Sequence, residues 1–168
     1  MAISKISSDG LAAAGIAQSN MGTGVAGTGP AFSAYVGTTQ SVTSDVNTKV
    51  ACNTEEFDTA SCYDNSLYRF TPNVAGYYQV SGMLSCRSAT SVSRFNVQVW
   101  KNGSLFKWGG DINYGTGIGY KIGVSALVYM NGSTDYLELY ASVTAGTAQV
   151  TGGDNASTYF QAFLARSA

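Results

Sequence analysis

Two Asn-Gly pairs, Asn102-Gly103 and Asn131-Gly132, each lie between stretches in which apolar and polar residues alternate. Asn-Gly readily supplies the positive φ angles of a tight hairpin turn, and alternation with period two marks a strand with one buried face. Around the first pair, Phe95, Val97 and Val99 alternate with Arg94, Asn96 and Gln98, and Leu105 and Phe106 follow the turn. Around the second, residues 120–130 precede the turn, and Leu137, Leu139, Ala141 and Val143 follow it on one predicted inward face. The same period recurs elsewhere. Phe32, Ala34 and Val36 line one face of an opening strand; Tyr78, Val80 and Leu84 share a face after the Pro72 to Gly76 turn; Phe160 and Leu164 share a face in the last segment. Further strands are expected over residues 46–52 and 67–70, and a glycine-rich loop over 114–119. With 20 Gly, 11 Tyr and only 2 Pro, and no sustained helical period, the chain reads as an all-β antiparallel sandwich.

Composition narrows the function. Histidine is absent, which removes His-based catalytic triads and His-ligated metal sites. Nine Lys and Arg against ten Asp and Glu leave a net charge of -1, without the basic footprint of a nucleic-acid binder. No run of about 20 apolar residues is present to cross a bilayer as a helix, so no membrane insertion is expected. Residues 11–17 are too short and too weakly flanked for a convincing signal peptide. Cys52, Cys62 and Cys86 are an odd number without zinc-site spacing; they read as free thiols suited to a reducing cytosol, with a Cys52–Cys62 link as the alternative. Glu55, Glu56, Asp58 and Asp64 form the one acidic cluster. It lacks a calcium-loop pattern and reads as a solvated bend, so no cofactor is expected, calcium being the alternative considered. No spacing sets two carboxylates across a cleft, and the chain is expected not to be an enzyme. Three glycosylation sequons begin at Asn102, Asn131 and Asn155; turn chemistry accounts for the first two.

Residues 1–29 are dominated by Ala, Gly, Ser and Thr, with Ile3, Ile6, Leu11 and Ile16 as scattered apolar anchors. Such a segment cannot order itself by burial, and it is read as an N-terminal arm and linker that docks on a partner, followed by a head domain over residues 30–168.

From Pro30 onward the residues resemble a family. Pro30-Ala-Phe-Ser-Ala, Phe70-x-Pro72-x-x-Ala75-Gly76-x-Tyr78, Val99-Trp-Lys-Asn-Gly103, Leu127-Val-Tyr-Met-Asn-Gly132 and Tyr159-Phe-x-Ala-Phe-Leu164 occur in the order seen in the jelly-roll head shared by complement component one q and tumour necrosis factor. That resemblance implies a sandwich of about ten strands packing as a homotrimer. Animal members usually follow a collagen stalk or membrane anchor, and neither pattern is present in this sequence. The low charge, the Ser/Thr/Asn/Gly surface and the short arm are more similar to the heads of bacteriophage fibres. The expectation is therefore a non-enzymatic virion structural protein, assembled in the host cytoplasm: a trimeric tail-fibre or tip head attached to other virion proteins by its arm and able to contact a host receptor. The alternative is a secreted binding or signalling head for a protein or carbohydrate.

Tyrosines left over once the inward faces are filled suit a subunit interface, and Tyr77, Tyr129, Tyr136, Tyr140 and Tyr159 are assigned to it. Trp108, Asn113 and Tyr114, in a predicted loop over residues 106–119, are assigned to receptor or glycan contact, the opposing reading being a buried Trp that anchors the loop.

Overall fold

The structure is a computed structural model that describes residues 29–88, 90–114, 120–146, 148–150 and 152–168. Its strands are Ala31–Tyr35 (β1), Gln40–Val42 (β2), Thr48–Lys49 (β3), Thr54–Asp58 (β4), Tyr63–Asp64 (β5), Arg69–Phe70 (β6), Ala75–Ser88 (β7), Val92–Lys101 (β8), Ser104–Tyr114 (β9), Tyr120–Asn131 (β10), Leu137–Ala145 (β11), Ala148–Val150 (β12) and Tyr159–Ser167 (β13). They form two antiparallel sheets. One has seven strands in the order β2-β12-β7-β13-β1-β4, with β10 also paired to β7; the other has six in the order β5-β6-β11-β8-β9, with β3 also paired to β11. The strand total exceeds the expected ten because β3, β5 and β6 are two-residue pairings, too short to show a period.

The inward faces follow the alternation. Phe32, Tyr78, Leu84, Phe95, Val97, Val99, Leu137, Leu139 and Phe160 are all buried between the sheets. Phe32 stacks between Tyr63 at 4.6 Å and Phe70 at 4.5 Å and meets Phe160 edge-on at 5.2 Å. Its ring ties both sheets together, and truncating such a group typically costs about 3 to 5 kcal/mol. Gly82 marks the closest approach of the layers, since a Cβ there would sit 2.4 Å from Leu139 Cδ1.

Several local expectations change. Asn102 (φ 52°) and Gly103 (φ 75°) form the hairpin joining β8 and β9, as read from sequence. Asn131-Gly132 is no hairpin: β10 pairs with β7 and β11 with β8, so this turn carries the chain from one sheet to the other. Asn131 Oδ1 accepts N–H bonds from Ser133, Thr134 and Asp135, each at 3.0 Å, which holds that crossover. The strand expected over 46–52 shrinks to β3, because Val46 points to solvent while Val50 and Cys52 are buried in a connecting segment. Of residues 67–70 only β6 is strand, Tyr68 adopting φ 55°. The acidic segment is edge strand β4, paired with β1, and no bend. Asp58 accepts the N–H groups of Ala60 and Tyr63, and Asp64 those of Ser66 and Leu67, so both carboxylates cap turns. Among the described residues no group of three or more His, Cys, Asp or Glu could hold a metal ion. Cys52, Cys62 and Cys86 are buried thiols outside any disulfide, with no Cys52–Cys62 link. Burial pushes the Cys52 thiol up to about 12.

Candidate functional site

With the inward faces committed to the core, function is left to the two outer faces. On the seven-stranded sheet, register alone assembles an apolar field. Tyr77 on β7 lies opposite Tyr129 on β10, and their rings meet edge-on at 5.5 Å. Gln79 sits between Leu127 on one side and Phe163 on the other, and Met83 lies opposite Tyr159, which in turn lies opposite Tyr35. Leu127 is 58% exposed and Phe163 52%. Between these side chains the polar groups satisfy one another: Gln79 Nε2 donates to Ser125 Oγ at 2.8 Å, and Gln161 Nε2 to Ser81 Oγ at 3.3 Å. No charged residue occupies the outward positions from Tyr77 to Met83, Gly123 to Tyr129 or Tyr159 to Ala165. A charge-depleted field with exposed aromatic anchors has the make-up of an interface core.

The six-stranded sheet presents a different surface. Asn96, Gln98, Glu138 and Ser142 point outward yet are buried, because long side chains roof them. Trp100 stacks on Tyr140 at 4.3 Å and donates from Nε1 to Gln98 Oε1 at 2.7 Å. Glu138 Oε1 accepts from Lys49 Nζ at 2.6 Å and Arg69 Nη2 at 3.0 Å, and the Arg69 guanidinium lies 3.7 Å above the Tyr136 ring. Burial, aided by the Glu138 charge, raises the Tyr140 hydroxyl above its ordinary value. At the edge, Trp108 lies opposite Gln98, with Arg94 5.5 Å from its ring centroid and 3.5 Å from the Asp111 carboxylate.

The predicted interface tyrosines therefore divide. Tyr77, Tyr129 and Tyr159 lie on the apolar field, whereas Tyr140 on β11, and Tyr136 just before it beneath the Arg69 guanidinium, lie with the opposite sheet, because β11 pairs with β8 and not with β10. Trp108 and Asn113 lie on strand β9, not in a loop; Trp108 is 58% exposed, which excludes the buried-anchor reading. Tyr114 ends the same strand, and its side chain lies outside the described residues. Ile3, Ile6, Leu11 and Ile16 lie outside them too. Sequence reasoning missed Leu127, Phe163 and Phe57. The signal was available, since each is a large apolar residue in a strand, and for Leu127 and Phe163 the position is opposite in parity to the inward set.

Neither a protein-family model nor a curated protein sequence matches this chain. Solved structures do. The globular domain of zebrafish complement 1qA superposes with a TM-score of 0.59 at 14% identity, covering 83% of this chain and 98% of that one. Eiger TNF from S. frugiperda gives 0.65 at 8% identity over 82% and 93%, and murine APRIL 0.60 at 8% over 80% and 98%. The fold is that of the complement C1q and tumour necrosis factor heads. Identities this low establish the jelly-roll architecture and nothing finer. Within that jelly roll, the apolar field is the outer face of the sheet holding β1, β4, β7, β10 and β13, and the aromatic and ionic roof lies on the other sheet.

Proposed function

We propose that the chain is a non-enzymatic binding head that assembles as a homotrimer through the outer face of its seven-stranded sheet, with residues 1–29 as an arm that attaches it to a larger particle. The observation that carries this is the apolar field around Tyr77, Leu127, Tyr129 and Phe163 on a sheet that is already fully paired through its centre. Such a patch on an isolated domain is an association surface. The likeness to complement and tumour necrosis factor heads supports a three-fold arrangement, with the apolar field turned toward the axis.

The particle we favour is a bacteriophage virion, with the head at the end of a tail fibre or tip, available for receptor binding and host attachment, and Ile3, Ile6, Leu11 and Ile16 contacting other virion proteins. The low charge, the Ser/Thr/Asn/Gly-rich surface and three buried cysteines outside any disulfide support assembly in a reducing cytoplasm over the secreted alternative. Light scattering on the purified chain tests the assembly: three times the 17.5 kDa chain mass is expected, and a monomer at micromolar concentration would overturn it. Deleting residues 1–29 tests the attachment, which should be lost while the head still folds and trimerises.

A further inference from the structure

We propose that the outer face of the six-stranded sheet carries a carbohydrate site at Trp108, which takes a pyranose unit bearing adjacent hydroxyl groups. The proposal rests on the preceding reading in one respect: association through the seven-stranded sheet leaves this face open. The two faces differ in chemistry as well as position. One is an uncharged apolar field; the other sets a large exposed ring beside charged and amide groups. A pyranose has the complementary division, with apolar C–H faces and a polar hydroxyl edge.

Trp108 is held as a platform. The next residue, Gly109, packs so tightly that a Cβ would lie 2.5 Å from both Gly123 O and Val97 Cγ1, which fixes the β9 backbone against the core beside Trp108. A ring carried on a fixed strand loses less freedom when a ligand stacks on it than one carried on a mobile loop. The polar groups beside it are incompletely used. Asn96 is fully buried and donates from Nδ2 to Gly110 O at 3.3 Å, yet its Oδ1 has no hydrogen-bond partner among the described residues. Arg94 Nε, two residues away on the same face of β8, is likewise without a hydrogen bond, and its ion pair with Asp111 is long at 3.5 Å. Asn96 Oδ1 can accept from one hydroxyl, and an Arg94 guanidinium released from Asp111 can donate to the same group or its neighbour. Opening the site requires that the Arg94 guanidinium, which lies over the Trp108 ring and pairs with Asp111, swing aside, and an ion pair of that length between exposed side chains holds weakly. The Asp111 carboxylate then accepts from a neighbouring hydroxyl, and charge-assisted bonds of this kind orient a polar ligand. A nucleic acid would meet Asp111 as a repulsive charge.

The test uses the full chain, fluorescently labelled, on an array of defined oligosaccharides. Trp108→Ala, Trp108→Phe and Asp111→Asn are compared with the parent, and each is checked for mass and thermal midpoint. Binding to a subset of the array is expected, weakened at least about tenfold by Trp108→Ala and by Asp111→Asn and partly restored by Trp108→Phe. No binding to any oligosaccharide, or hits that Trp108→Ala and Asp111→Asn retain at parental strength, would overturn the proposal. If Trp108→Ala fails to fold, Asp111→Asn and Trp108→Phe decide alone: parental binding by both overturns it. A monomeric mass with Trp108-dependent binding would sustain this site and remove the trimer, so the two readings fail separately.

Discussion

Replacing Phe163 by serine removes a ring from the centre of the apolar field while leaving the core untouched. A phenylalanine side chain carries roughly 200 Å² of surface. With 52% of it open in the isolated head, covering the remainder in a subunit contact removes about 100 Å² from water, worth about 2.5 kcal/mol at about 25 cal/mol per Å². Three copies per trimer make that about 7 kcal/mol, or about five decades in the overall association constant. Because dissociation of a trimer scales with the square of concentration, the midpoint concentration should rise by about two to three decades. The dissociated head should melt lower but still fold, since the half of the ring covered within the head is worth at most about 2.5 kcal/mol to its own stability. Sedimentation across a dilution series of parent and variant reads the first effect and a melt of the dilute sample the second. Leu105→Ser is the control, a loss of comparable apolar surface at an exposed position on the opposite sheet. The reasoning fails if Phe163→Ser dissociates at the parental concentration, or if Leu105→Ser shifts the midpoint as far.

Other expectations concern the scaffold. Asp135 accepts from Lys101 Nζ at 2.8 Å, Asn102 Nδ2 at 2.8 Å and Asn131 N–H at 3.1 Å, tying the hairpin to the crossover turn; Asp135→Ala should lower stability by about 1.5 to 3 kcal/mol in chemical denaturation. Burial tends to raise the Asp135 carboxyl, but these donors outweigh it and hold it below the usual carboxylate range. A depressed folded value means stability that is present above the unfolded pKa and lost as pH falls through the folded one. Melts should therefore weaken below about pH 4, and Asp135→Asn should flatten that dependence relative to the parent. Cys52, Cys62 and Cys86 should resist iodoacetamide at pH 8 in the native head and react once it is unfolded, because burial withholds all three and keeps the Cys52 thiol protonated; rapid native labelling would contradict this.

The sequence carried the inward faces because alternation is a local signal: Phe32, Val97, Leu139 and Phe160 were each readable from residues two apart. Which sheet a strand joins is not local. β10 and β11 are joined by an Asn-Gly turn that reads as a hairpin, yet each finds its partner more than thirty residues away along the chain, in β7 and β8, and this separates Tyr136 and Tyr140 from Tyr77, Tyr129 and Tyr159. Trp108 was placed in a loop because Gly109-Gly110 reads as a break; packing of Gly109 against Val97 and Val124 turns it into an irregular strand instead. Asn96 and Gln98 were legible as outward and polar, but not as buried, since their cover comes from Trp100, Arg94 and the segment around Asn47.

The division of labour between the two outer faces is tested most directly by oxidative footprinting of the intact chain, read residue by residue at an assembled and at a diluted concentration. Tyr77, Leu127, Tyr129 and Phe163 should be protected in the assembled sample and become reactive on dilution, while Leu105 and Trp108 stay reactive in both. Protection of Trp108 on assembly, or a Phe163 that oxidises equally at both concentrations, would contradict the account.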